Sequence, residues 1–75
     1  MGKPITHKDI LRKFGDKVQK VRKSQGISQE ELATKVFMHR NYIGLIERGE
    51  RNPTIRTLYK IAKALKVSAG QLLPF

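Results

Sequence analysis

Cysteine is absent from the 75-residue chain, acidic side chains are few, and no long apolar run occurs. Without cysteine there can be no disulfide, no thiolate nucleophile and no sulfur-ligated zinc. A reducing compartment, the cytoplasm, is therefore the expected location. The two histidines, His7 and His39, lie far apart in sequence and have no carboxylate cluster at ligand spacing. Neither a metal site nor a cofactor is expected. No apolar stretch approaches the roughly 18 residues that a membrane span needs. Residues Met1 to Thr6 lack the apolar core of a secretory signal. No nucleophile–base set is discernible, so no catalytic residue is proposed, and a chain this short leaves little room for an enzyme cleft.

What is abundant is positive charge. Sixteen Lys and Arg oppose six Asp and Glu, a net charge of +10. Such an excess suits nucleic acid, an anionic membrane surface or an acidic protein partner. The order of the residues has to decide among them.

The chain shows no internal repeat, low-complexity run or linker. Its punctuation divides it into short segments of helical period. Thr6 followed by Asp9 resembles a capping box. Ile10, Phe14, Val18 and Val21 then form one helical stripe that stops at Gly26. Gly15 weakens this helix by roughly 1 kcal/mol relative to Ala. Ser28 and Glu31 make a second capping box, opening a helix that carries Leu32, Ala33 and Val36. Phe37 and Met38 form a break. A third helix is expected from His39 to Arg48, with Gly49 as its stop. Pro53 ends a polar loop, and Thr54 caps a fourth helix lined by Ile55, Leu58, Ile61, Ala62 and Leu65. Ser68 caps a short last helix with Leu72 and Leu73. No segment alternates with period two. The expectation is one all-α domain of five helices over residues 1–75, with residues 1–8 as an N-terminal arm.

The third helix separates its residues sharply. Ile43 and Ile46 fall on one side, toward a core. Arg40, Asn41, Gly44, Leu45 and Arg48 share the other, with Glu47 at its edge. That outer face would fit a DNA major groove, which is about 12 Å wide. Arg can donate two bonds to guanine, Asn can pair with the edge of adenine, and Leu45 could meet a thymine methyl. Gly44, lacking a side chain, would permit close approach. Base contacts are therefore expected from Arg40, Asn41, Gly44 and Leu45.

The stretch from Ser28 to Ala33, then Tyr42-Ile43 and Ile46 to Pro53, resembles the phage-repressor helix-turn-helix family, the Cro-like or xenobiotic-response type. The tail from Leu58 to Leu73 is similar to its last two helices. The resemblance spans about Phe14 to Leu73. It also extends, more weakly, to the controller proteins of restriction–modification systems. It implies a five-helix lambda-repressor-like DNA-binding domain, with the helix-turn-helix at helices 2 and 3 and the third helix reading the major groove. Many members bind palindromic operators as two-fold homodimers and regulate transcription, often repressing, so double-stranded DNA and a second copy are the implied partners. No small-molecule effector is evident. The resemblance also implies a structural ion pair between Arg22 and Glu47. Two departures stand out. Phe37 occupies the turn position where the family usually has Gly, and His39 starts the recognition helix where Ser or Thr is usual.

Phosphate contacts are expected from Gln29, because a helix N-terminus attracts anions. They are also expected from Arg48, Arg51 and Asn52 after the recognition helix, from Thr54 at the next helix start, and from the Tyr42 hydroxyl. The Lys stripe of the first helix and the Arg56, Lys60, Lys63 stripe of the fourth supply long-range attraction. Leu72, Leu73 and Phe75 crowd the end of a small domain and are the expected dimer interface, with core filling the alternative for Leu72. Three other readings remain open: an antitoxin-like module that binds a protein as well as DNA, membrane attachment through the N-myristoylation pattern of Gly2 and Thr6, and RNA binding. The last lacks an aromatic stacking motif, with only Tyr42 and Tyr59 available.

Overall fold

A computed structural model describes residues 6–75 of the chain. It holds five helices: α1 (His7–Ser24), α2 (Gln29–Lys35), α3 (Arg40–Glu47), α4 (Ile55–Leu65) and α5 (Ala69–Leu72). No strand occurs among the described residues. Residues 1–5 of the expected arm, and with them the Gly2 end of the myristoylation pattern, lie outside the described residues. His7 and Lys8, expected in that arm, belong instead to α1.

The helix starts follow from the capping side chains. Thr6 Oγ1 accepts from the Asp9 N–H at 3.1 Å. Ser28 Oγ accepts from the Glu31 N–H, and the Glu31 carboxylate accepts in return from the Ser28 N–H, both at 3.0 Å. Thr54 Oγ1 accepts from the Thr57 N–H at 3.1 Å. His39, a rarer cap, does the same work through Nδ1, which accepts from the Asn41 N–H at 3.1 Å. Each bond satisfies one of the amide groups that a helix leaves free at its N-terminus.

All five helices feed one core. Phe14 and Val18 come from α1, Leu32 from α2 with Val36 at its end, Ile43 and Ile46 from α3, Ile61 and Leu65 from α4, and Leu72 from α5. Leu72 is 0% exposed. The expectation that it forms a dimer interface is therefore corrected: its side chain is spent inside its own protomer. Ile55 corrects the sequence reading in the other direction. It shares the stripe of Leu58 and Ala62, yet at the first turn of α4 it is 84% exposed.

Two backbone details position the second and third helices. Gly15 is buried where α1 crosses α3. A Cβ there would press on the Ile46 carbonyl oxygen and sit 2.7 Å from that of Glu47. The residue that weakens α1 as an isolated helix is the one that lets α3 lie against it. The α2–α3 turn is a left-handed helix ending. Phe37 N–H donates to Thr34 O at 3.3 Å, and Met38 N–H to Ala33 O at 2.9 Å. Phe37 adopts the left-handed conformation, φ +57°, that the family gives to Gly. The turn geometry is kept at a backbone cost of about 1–2 kcal/mol.

Candidate nucleic-acid interface

The site is assembled on α3 from behind. Glu47 sits on the inner face of α3, its side chain only 1% exposed. Its carboxylate accepts from Arg22 Nε at 2.6 Å and Nη2 at 3.0 Å, and from Gln29 Nε2 at 2.9 Å. Arg22 Nη1 donates to Ile27 O at 2.8 Å. One carboxylate thus ties α1, α2 and α3 together. The hydrogen bonds to Glu47 raise the pKa of Arg22 further above its ordinary value, so the guanidinium stays charged at every relevant pH.

The outer face of α3 and the N-terminal end of α2 enclose a shallow trough, lined by Gln29, Glu30, Arg40, Asn41, Leu45 and Arg48 among others. Arg40 and Asn41 are exposed at its mouth and Leu45 is half-buried. Arg40 Nη1 rests 3.9 Å from Glu30 Oε2, and both side chains are largely exposed. Such a pair contributes at most about 1 kcal/mol and leaves Arg40 able to turn toward a ligand. Arg48 Nε donates to Glu50 Oε2 at 2.9 Å, again on the surface.

Not every expected contact residue presents itself in the same way. Gly44 is buried. A Cβ on it would meet Arg48 Nη1 at 3.2 Å and Gln29 Oε1 at 3.7 Å. Gly44 lines the trough, and its missing Cβ makes room for those two side chains. Gln29 lines the trough but has committed its Nε2 to Glu47. Tyr42 is half-buried, with the Arg51 guanidinium 5.7 Å from its ring centroid. Arg51 and Asn52 are exposed beyond the end of α3. Thr54 spends its hydroxyl on the α4 cap and on Thr57 Oγ1 at 3.2 Å.

The Gln29–Glu47 bond and the covered Gly44 were not legible in the sequence. Both depend on the crossing of α2 and α3, which no residue spacing encodes. Among the described residues there is no cluster able to hold a metal ion and no helix long and apolar enough to cross a membrane.

Two short helices joined by a tight turn, the second braced from within and bearing Arg, Asn and Leu outward, define a helix-turn-helix DNA-binding domain. Residues 18–72 match the helix-turn-helix family HTH_3, and the chain belongs to that family. It is similar to the control protein C.BamHI of Bacillus amyloliquefaciens, with 48% identity over 63 residues, 83% of this chain and 78% of that protein. Among solved structures it resembles the restriction–modification controller C.AhdI of Aeromonas hydrophila, with a TM-score of 0.82 and 38% identity, covering 84% of this chain and 96% of that one. It also resembles the controller C.Esp1396I as a tetramer on its natural 35-base-pair operator, with a TM-score of 0.75 and 42% identity, covering 83% of this chain and 82% of that one.

Proposed function

We propose that the chain is a sequence-specific regulator of transcription that binds a two-fold symmetric operator as a homodimer in the cytoplasm, with α3 in the major groove. The observation that carries this reading is the bracing of α3 by the Arg22–Glu47–Gln29 network behind an outward row of Arg40, Asn41 and Leu45. A helix held this way presents its base-reading side chains at a fixed angle. The likeness to controller proteins, one of them seen on its operator, supports it.

Within that reading, Arg40, Asn41 and Leu45 read bases. Arg48, Arg51, Asn52, the Tyr42 hydroxyl and the amide groups at Gln29 and Thr54 hold phosphates. The dimer surface is Leu73 and Phe75 joined by Ile55 and Leu58, which together border one apolar groove. Phe75 and Ile55 are 79% and 84% exposed, more apolar surface than a small domain usually leaves open.

Selection of bound duplexes from a random pool, followed by footprinting, tests the proposal. The expected product is a symmetric site with half-site centres about 34–36 Å apart, or a multiple of that. Recovery of unrelated sequences, with no enriched half-site, would overturn it. On the selected site, Arg40→Ala should relax the preference at one base pair at a cost of about 1–3 kcal/mol. Arg51→Ala should weaken all sequences alike. Identical behaviour of the two variants across an operator library would refute the division of roles.

A further inference from the structure

Away from α3, a second groove runs between the end of α2 with its turn and the flank of α4 next to the apolar dimer surface. Its apolar lining comes from Val36, Ala64 and the rings of Phe37 and Tyr59. Its charge comes from Lys35, Lys60, Lys63 and Lys66, and no acid lines it. Lys63 Nζ lies 5.8 Å from the Tyr59 ring centroid.

We propose that this groove docks an acidic segment of a partner protein, one that carries an aliphatic or aromatic side chain among its carboxylates. Three observations lead there. The first is where backbone strain is kept. Among the described residues two that are not glycine have positive φ, Phe37 at 57° and Lys66 at 59°, and both line this groove. Glycine would serve either turn without strain. Phe37 returns nothing to the core, since it is 91% exposed. Strained residues of this kind collect where the side chain has a use outside the fold.

The second observation is charge. Four lysines around an apolar floor complement carboxylates that flank an apolar side chain. A second copy of this chain is a poor source of them. It has six acids in all: Glu47 is buried on Arg22, Glu31 is held in its capping box, and the other four are scattered in weak surface pairs, so no group of carboxylates flanks an exposed apolar side chain. Duplex DNA suits the lysines, but its bases are stacked within the helix and leave the Phe37 ring without a partner.

The third observation is position. The groove shares no lining residue with the trough at α3. The two lie at opposite ends of α2, so DNA on α3 leaves the groove open. A regulator so built holds DNA with one face and an acidic partner with another.

The probe is a fluorescein-labelled dodecapeptide of aspartates with two leucines, compared with an all-aspartate peptide of the same charge and with a short duplex DNA. Amide shifts in the full chain should concentrate at Lys35 to Phe37 and Tyr59 to Lys66. Phe37→Gly should weaken the leucine peptide about tenfold or more, the effect of unburying one aromatic side chain. The same variant should leave duplex binding unchanged and its thermal midpoint no lower than the parent's, which separates docking from folding. A paired Lys60→Gln, Lys63→Gln variant should also weaken the peptide. The proposal is overturned if the shifts fall on Gln29 and Arg40 to Leu45, if Phe37→Gly binds the peptide as tightly as the parent, or if the all-aspartate peptide or the duplex occupies the groove equally well. Failure here leaves operator binding intact, so it is distinguishable from failure of the DNA-binding reading.

Discussion

Glu47 has more leverage than any other polar residue of the fold. It holds a buried guanidinium and also aims Gln29. Glu47→Ala strands the charge of Arg22, and breaking a buried pair in this way costs about 3–5 kcal/mol. A domain of this size has only about 4–11 kcal/mol in total. Thermal melts should therefore show a midpoint at least ~12 °C lower, at about 4 °C or more per kcal/mol. A fall of a few degrees would mean that the pair is not buried in solution. Joint replacement, Arg22→Met with Glu47→Leu, should recover much of the loss, because an apolar pair of similar volume avoids the desolvation penalty. This pairing was legible only through family resemblance. Charge and spacing alone could not join residues on separate helices.

At the scale of the element, the helix starts were the most legible part of the sequence. Capping is a local interaction between residues three apart, so Thr6, Ser28 and Thr54 could be read directly. Glu31 adds a pH dependence. The Ser28 N–H, and then the Ser28 hydroxyl, hold its carboxyl below the usual carboxylate range. Thr6 does the same for Asp9. A depressed folded pKa gives stability that is present above the unfolded value, about 4.3 for Glu, and lost as pH falls through the folded one. Melts should show a falling midpoint below about pH 4. Glu31→Gln, which keeps the shape of the box without the titrating group, should flatten part of that slope. An equal slope in both proteins would remove Glu31 as its source. What was not legible is how elements meet. Gly15 reads as a flaw in α1 because propensity is local, whereas its use lies in the α1–α3 crossing. Gly15→Ala should lower the denaturant midpoint. A gain of about 1 kcal/mol in helix propensity is set against overpacking onto backbone that typically costs 1–3 kcal/mol. A higher midpoint would show that the two helices part without penalty.

For the whole molecule, the +10 charge and the single face of α3 belong to one account. If a dimer neutralises about 6–10 phosphates, its affinity should fall roughly 10³–10⁵-fold between 50 and 200 mM salt. Filter binding or anisotropy would measure it, and near-constancy over that range would contradict a phosphate-held complex. Ile55→Glu should shift the protein toward monomer in sedimentation and weaken operator binding with it. An unchanged dimer would move the interface elsewhere. The five-helix architecture was readable because period, caps and stops agreed along the chain. The proposed dimer surface was not. Ile55 and Leu72 are both apolar, and only the closure of the core decides that one turns outward and the other inward.

The bracing of α3 separates aiming from reading. Ile43, Ile46 and Glu47 fix the rod from within, while Arg40, Asn41 and Leu45, the proposed readers of bases, lie outside the core and do not hold the fold together. The letters can therefore be exchanged while the frame stays put. This chain is suited to being readdressed: changes at those three outward positions alone should give stable proteins that settle on different operators.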